Sequence, residues 1–150
     1  MVWVNKIGAV GFSNPSKLKQ LTDFIVEVDV RKLSDAPGAQ QSVFFRSDEK
    51  NQYSLTVTDT GNFAVSKLWQ GNTSKLKDWT PSTSIKTGKE TNKLRIVCQG
   101  KQFEFYANGN KLATVTDDAL TSGSIILTIG AGDPAGARYG FDNFRLYSPN

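Results

Sequence analysis

The chain has 150 residues, 38% of them apolar and 21% charged, and a net charge of +4. That length suits one domain with one core, and nine Phe, four Tyr and three Trp supply enough area to close it, which excludes a disordered chain. Histidine is absent and Cys98 stands alone, so Ser–His and Cys–His pairs, thiolate zinc cages and internal disulfides are excluded as well.

Strand patterns run the length of the chain, broken by Gly, Asn and Asp at intervals of about ten residues. Residues 2–12 are expected as a single strand. Residues 15–21 and 118–120 are the only places where a helical turn is expected. Residues 24–33 alternate, with Phe24, Val26, Val28 and Val30 on one face and Glu27, Asp29 and Arg31 on the other. Further strands are expected over 41–47, 52–58, 62–69, 92–99, 102–107, 111–116, 124–129 and 139–147, with a polar loop over 70–78. No linker or repeat divides the chain, so residues 1–150 read as a single domain.

Three turns set strand pairing. Asn108-Gly109 tolerates positive φ at both positions and marks a two-residue hairpin. It sets Ala107 opposite Asn110, Tyr106 opposite Lys111 and Phe105 opposite Leu112. Gly100-Lys101 pairs Cys98 with Phe103, Ile96 with Phe105 and Arg95 with Tyr106. Both assignments put Leu94, Ile96, Cys98, Phe103, Phe105 and Leu112 on one inner face, with Cys98 as a small core filler. At Asp59-Thr60-Gly61-Asn62 two registers stand: Val57 opposite Ala64, or a Gly61 bulge with Val57 opposite Val65 and Tyr53 opposite Trp69. Consecutive hairpins without intervening helices imply an all-β fold of two antiparallel sheets, a jelly-roll sandwich.

The charge is spread from Lys6 to Arg145 with no basic arm, which argues against a nucleic-acid partner. No apolar run approaches the roughly 18 residues of a membrane-spanning helix, and the opening residues lack a secretory leader pattern.

Five segments in order then carry a resemblance: Phe24-Ile25-Val26-Glu27-Val28-Asp29-Val30-Arg31, Val43-Phe44-Phe45-Arg46, Asn92-Lys93-Leu94-Arg95-Ile96-Val97, Phe105-Tyr106-Ala107-Asn108-Gly109 and Phe141-Asp142-Asn143-Phe144-Arg145. From Phe24 onward the chain resembles the concanavalin A-like lectin/glucanase superfamily, in its laminin G-like and bacterial jelly-roll branch. That branch includes keto-disaccharide hydrolase relatives and carbohydrate-binding modules. The resemblance implies a curved concanavalin A-like jelly roll that is extracellular or on the cell surface, often as an accessory or sensor module of a larger protein. The stretch before Phe24 is shorter than in the family, where an extra edge strand pairs with the last one, so the pairing of the first strand stays open.

Glucanases of this superfamily carry Glu-x-Asp-x-Glu on a strand as nucleophile, helper and acid/base. Glu27-Val28-Asp29-Val30 matches the first half, but Arg31 and, for a one-residue variant of the motif, Lys32 stand where the second Glu would deliver a proton. No catalytic residue is therefore assigned, and Glu27, Asp29 and Arg31 read as a polar face. Asp117-Asp118 and Asp48-Glu49 read as turns. No calcium loop is present, and no cofactor is expected; a structural Ca²⁺ would fall to Asp133 and Asp142.

A binding reading fits better. An antiparallel sheet puts every second residue on one side, which suits a sugar's hydroxyls and apolar faces. The pairing places Arg95 and Lys111 on either side of Tyr106, opposite the core. Arg46 is expected in a groove where its guanidinium could fork onto hydroxyls or a carboxylate, or else pair with Asp29 or Glu27. Trp69 and Trp79 bracket the polar loop and suit either stacking on sugar rings or packing. The candidate ligand-binding residues are thus Arg46, Trp69, Trp79, Arg95, Tyr106 and Lys111. The partner expected is a glycan, acidic if the excess of Lys and Arg serves it. The alternative is a protein partner in the manner of laminin G-like modules, with a glycosidase-like enzyme third.

Overall fold

The computed structural model describes residues 2–4, 10–13, 20–35, 37–130 and 136–149. One six-stranded sheet runs, in spatial order, through β1 (Val2–Val4), β12 (Ala137–Tyr147), β3 (Phe24–Lys32), β8 (Asn92–Gln99), β9 (Gln102–Ala107) and β10 (Asn110–Thr116). The other runs through β2 (Val10–Ser13), β11 (Ser124–Gly130), β4 (Gln40–Ser47), β5 (Gln52–Thr58), β6 (Asn62–Trp69) and β7 (Asn72–Pro81). All pairings are antiparallel. Residues 2–12 are therefore not one strand, because β1 joins one sheet and β2 the other. β1 pairs with β12, which settles the pairing the sequence left open. Residues 118–120 form no helical turn; of 15–21, residues 15–19 lie outside those described.

Alternation along each strand builds the core between the sheets. Phe24, Val26, Val28 and Val30 from β3 are buried against Val43, Phe45, Leu55, Val57, Phe63 and Val65 from the other sheet. Phe45 sits at the centre, with ring centroids at 5.3 Å to Phe103, 5.4 Å to Tyr53, 5.9 Å to Phe105 and 6.3 Å to Phe24. Burying a ring of this size stabilises the fold by roughly 1.5–3 kcal/mol. Cys98 is buried there too, and burial pushes its thiol up to about 12.

The β8–β9 register is the expected one, with Cys98 opposite Phe103, Ile96 opposite Phe105 and Arg95 opposite Tyr106. The β9–β10 hairpin starts as expected at Ala107–Asn110 and Tyr106–Lys111, then a bulge sets Ala113, not Leu112, opposite Phe105. Leu112 stays half-buried against the core. Neither register expected at 59–62 occurs. The turn has Gly61 at φ 90°, yet Val57 faces Phe63 and Tyr53 faces Lys67. This register keeps Leu55, Val57, Phe63 and Val65 on the inner face together; a one-residue slip turns half of them outward.

The polar loop expected over 70–78 is mostly strand β7. Gln70 and Gly71, at φ 51° and 80°, make a tight hairpin turn, and β7 runs along β6 as an exposed edge. At the two ends of the sandwich, polar pairs join the sheets. Lys32 Nζ lies 2.5 Å from Asp59 Oδ2 with both side chains nearly buried. At the other end Tyr53 donates to Asp117 Oδ1 at 2.5 Å, and Lys67 Nζ lies 2.7 Å from Asp117 Oδ2. Asp117 is thus a cross-sheet tie rather than a plain turn residue.

Candidate functional site

The outer face of the β3 sheet gathers the chemistry. Cross-strand register sets Arg145, Glu27, Arg95, Tyr106 and Lys111 side by side in one row across β12, β3, β8, β9 and β10. Arg95 Nη1 lies 3.6 Å from Glu27 Oε1. The guanidinium carbon of Arg95 and the Lys111 Nζ stand 5.8 Å and 5.7 Å from the centroid of the Tyr106 ring. Tyr106 donates its phenolic hydrogen to Glu104 Oε2, which Lys111 Nζ also approaches at 3.1 Å. Hydrogen bonds from Tyr106 and Lys111 hold the Glu104 carboxyl below its ordinary range. The same bonds to Glu104 raise Tyr106 and Lys111, so phenol and ammonium both stay protonated at neutral pH.

One step along the strands, Asp29 Oδ1 is 3.4 Å from Lys93 Nζ, and Asn143 Nδ2 donates to Asp29 Oδ2 at 2.8 Å. Asn143 reaches it because β12 bulges between Asp142 and Arg145, with Asn143 at φ 51°. Asp142 Oδ1 accepts from the Asn143 amide and so shapes that bulge. Of the two residues named for calcium, Asp142 serves this local role and Asp133 lies outside the described residues. Among the described residues no three carboxylate or cysteine groups converge on a metal position.

Two depressions open on this face. One, of about 200 Å³, is bounded by Glu27, Lys93, Arg95, Tyr106 and Gly109. The other, of about 440 Å³, lies around Asp29, Arg31, Thr91, Gly140 and Asn143. The second carries a signal the sequence reading passed over: Gly140 stands on the outer face opposite Arg31, where a side chain would intrude into the hollow. Rigid strands hold both, and the tight Asn108-Gly109 turn is tied down by Asn108 Nδ2 donating to Ser84 O and Asn92 Oδ1, each at 2.8 Å.

The six candidate residues do not converge. Arg95, Tyr106 and Lys111 come together as expected. Arg46 does not lie in a ligand groove: it is 2% exposed and spent on the protein itself. A bulge in β4 opposite β11 and a φ of 45° turn it inward beside Phe45. Its Nη1 donates to Leu120 O at 2.8 Å, and its Nη2 and Nε donate to Thr22 O at 2.9 and 3.2 Å. Its charge rests 5.2 Å from the Phe103 centroid, and its acidic neighbour is Asp23 at 3.6 Å, not Asp29 or Glu27. The two tryptophans belong to the other sheet. Trp69 is half-buried against the core, while Trp79 is 45% exposed on the β7 edge with Lys75 Nζ at 5.9 Å from its ring.

Comparison with known proteins places this arrangement in a family. The chain belongs to the family of 3-keto-alpha-glucoside-1,2-lyase-like domains, whose model matches residues 12–146. No curated protein matches its sequence at a significant level. Among solved structures it is similar to the carbohydrate binding module CBM66 from Bacillus subtilis, at 19% identity and a TM-score of 0.77, over 97% of this chain and 91% of that one. It is similar to the Bacillus licheniformis beta-glucanase at 14% identity and a TM-score of 0.67, over 94% of this chain and 78% of that one. CG-16, a homodimeric agglutinin from chicken liver, matches at 11% identity and a TM-score of 0.66, over 92% of this chain and 99% of that one. These likenesses establish the fold, a concanavalin A-like jelly roll.

Proposed function

We propose that this domain binds a glycan on the outer face of the β3 sheet, around Tyr106, without turning it over. The observation that carries the reading is the row Glu27–Arg95–Tyr106–Lys111, which holds acceptors and donors alternately at fixed cross-strand spacing beside an open depression. Sugar hydroxyls both donate and accept, so such a row meets them without rearrangement, and pre-organisation of this kind limits the entropic cost of binding. The cations beside the Tyr106 ring leave its edge, rather than its face, to the ligand. The names of CBM66 and of the chicken agglutinin point the same way.

The charge balance around Tyr106 favours a neutral sugar over an acidic one. Lys93, Arg95 and Lys111 are each matched by a carboxylate, so the cations left over on this face, Arg31 and Arg145, stand away from Tyr106. Against turnover stands Arg31, on the same outer face as Glu27 and Asp29, where a second proton-donating carboxylate would be needed.

A glycan array read at low and moderate salt, with Tyr106→Ala and Arg95→Ala beside the wild type, tests the reading. Losing the Arg95 guanidinium's bonds is expected to weaken binding about tenfold, and losing the neutral Tyr106 hydroxyl several-fold (roughly 0.5–1.5 kcal/mol), with little dependence on salt. A signal that both variants retain would move the site elsewhere.

The family's name supports a second reading, a lyase acting on a keto-glucoside. Glu27 and Asp29 are both partly shielded, at 17% and 18% side-chain exposure, on one face of β3. Turnover of a 3-keto-glucoside that disappears in both Glu27→Gln and Asp29→Asn would establish that reading in place of the first.

A further inference from the structure

We infer that the hollow over Gly140 is a second subsite of the same face, so that the ligand is an oligosaccharide chain running diagonally across the sheet rather than a single sugar or a disaccharide. The inference rests on the glycan reading above. Both hollows open on one side of one sheet, and the Asp29–Lys93 pair forms the ground between them.

The span from Tyr106, in the far wall of the first hollow, to Gly140, in the far wall of the second, follows from strand geometry. Tyr106 is level with Glu27 on β3, and Gly140 is level with Arg31, four residues further along the same strand. At about 3.3 Å per residue the offset along the strands is about 13 Å. From β9 to β12 there are three strand spacings, adding about 14 Å across the sheet. The diagonal is on the order of 19 Å, so a ligand that touches both far walls is longer than a disaccharide, while the hollows themselves meet at the Asp29–Lys93 pair.

The chemistry of the second hollow fits a hydroxyl-rich ring. Asp29 keeps free lone pairs beside its bonds to Asn143 and Lys93. Among the described residues Arg31 spends only its Nε, on Lys89 O at 3.2 Å, which leaves its terminal nitrogens as donors toward the hollow. A carboxylate and a guanidinium two residues apart on one strand face can accept from and donate to adjacent hydroxyls of one ring. The volume, about 440 Å³, lies in the range of small-ligand sites.

Gly140 supplies the test. Its φ is not in the left-handed region, and a Cβ there would meet Leu33 Cδ1 at an ordinary 3.6 Å. Gly140→Val therefore puts an apolar side chain into the floor of the hollow while leaving the backbone in place, which a thermal melt verifies. The probe is an array presenting each glycan chain in lengths from one to six rings, applied to wild type, Gly140→Val and Tyr106→Ala. The expected result is a wild-type signal that climbs with length beyond the disaccharide. Gly140→Val should lose that climb, about tenfold at the longest chains, and keep the short-chain signal; Tyr106→Ala should weaken every length. A wild-type signal flat beyond the disaccharide, or a climb that survives in Gly140→Val, overturns the second subsite alone. The absence of any signal dependent on Tyr106 overturns the underlying glycan reading instead.

Discussion

A Cβ added to Gly123 would stand 2.3 Å from the carbonyl carbon of Arg46. The two residues touch because the β4 bulge that turns Arg46 inward pushes its peptide against the segment leading into β11. Gly123 also bridges Leu21, so it cannot retreat without breaking the bonds Leu21 N–Gly123 O and Gly123 N–Leu21 O, at 3.0 and 3.1 Å. Gly123→Ala is expected to cost roughly 2–4 kcal/mol, read from urea denaturation. A midpoint equal to wild type would show that the crossing is looser than this.

Arg46 itself is a tie, not a ligand residue. Replacing it with Met keeps the stem but leaves the carbonyls of Thr22 and Leu120 without its hydrogen bonds. The expected loss is about 2–4 kcal/mol of stability, with glycan affinity unchanged per folded molecule. Affinity that falls while stability holds would return Arg46 to the binding site.

The Tyr53–Asp117–Lys67 tie gives stability a dependence on pH at both extremes. Burial alone would raise the Asp117 carboxyl, but hydrogen bonds from Lys67, Tyr53 and the Ala119 amide outweigh it and hold the group below its ordinary value. A depressed folded-state pKa contributes stability that is complete above about pH 4 and is lost as pH falls through the folded value. Tyr53 is raised, by burial first and then by its bond to Asp117. Its contribution is complete below about pH 10 and lost above it, where the unfolded chain ionises. Urea midpoints across the pH range should therefore show a flatter acid limb in Asp117→Asn and a flatter alkaline limb in Tyr53→Phe. Tyr139, also raised by burial, keeps part of the alkaline limb in the latter. An acid limb in Asp117→Asn as steep as in wild type would contradict this account.

The two tryptophans of the other sheet should behave differently from each other. Trp79 is exposed, and Trp79→Ala is expected to change stability by no more than about 0.5 kcal/mol and to leave glycan binding alone. Trp69→Ala removes a ring packed on the core and is expected to cost roughly 2 kcal/mol. Loss of glycan signal in Trp79→Ala would transfer the site to the β7 edge.

The hairpins at Gly100 and Asn108-Gly109 were legible because turn chemistry and alternation agree there, and they delivered the Arg95–Tyr106–Lys111 group directly. Elsewhere the decisive geometry leaves no such trace. Gln70-Gly71 turns as tightly as Asn-Gly, but glutamine is not a usual left-handed residue, so a polar strand read as a loop. Arg46 and Asn143 adopt positive φ within bulges, and a single inserted residue is invisible to a period of two. An inward arginine depends on which carbonyls await it, and those of Thr22 and Leu120 come from distant segments. The hollow at Gly140 likewise follows from the β12–β3 register rather than from residue type.

The position of β12 between β1 and β3 has a consequence for synthesis. β3 emerges early, yet its neighbour on one side arrives only when the chain has been made through Tyr147. Until then β3 keeps an unpaired edge, and the inner face lacks Ala137, Tyr139 and Phe141. A nascent chain can hold the β8–β9–β10 hairpins, whose contacts are local, but the sandwich closes nearly all at once and late. Chains released before residue 137 should be captured by chaperones or pair through the open β3 edge with one another.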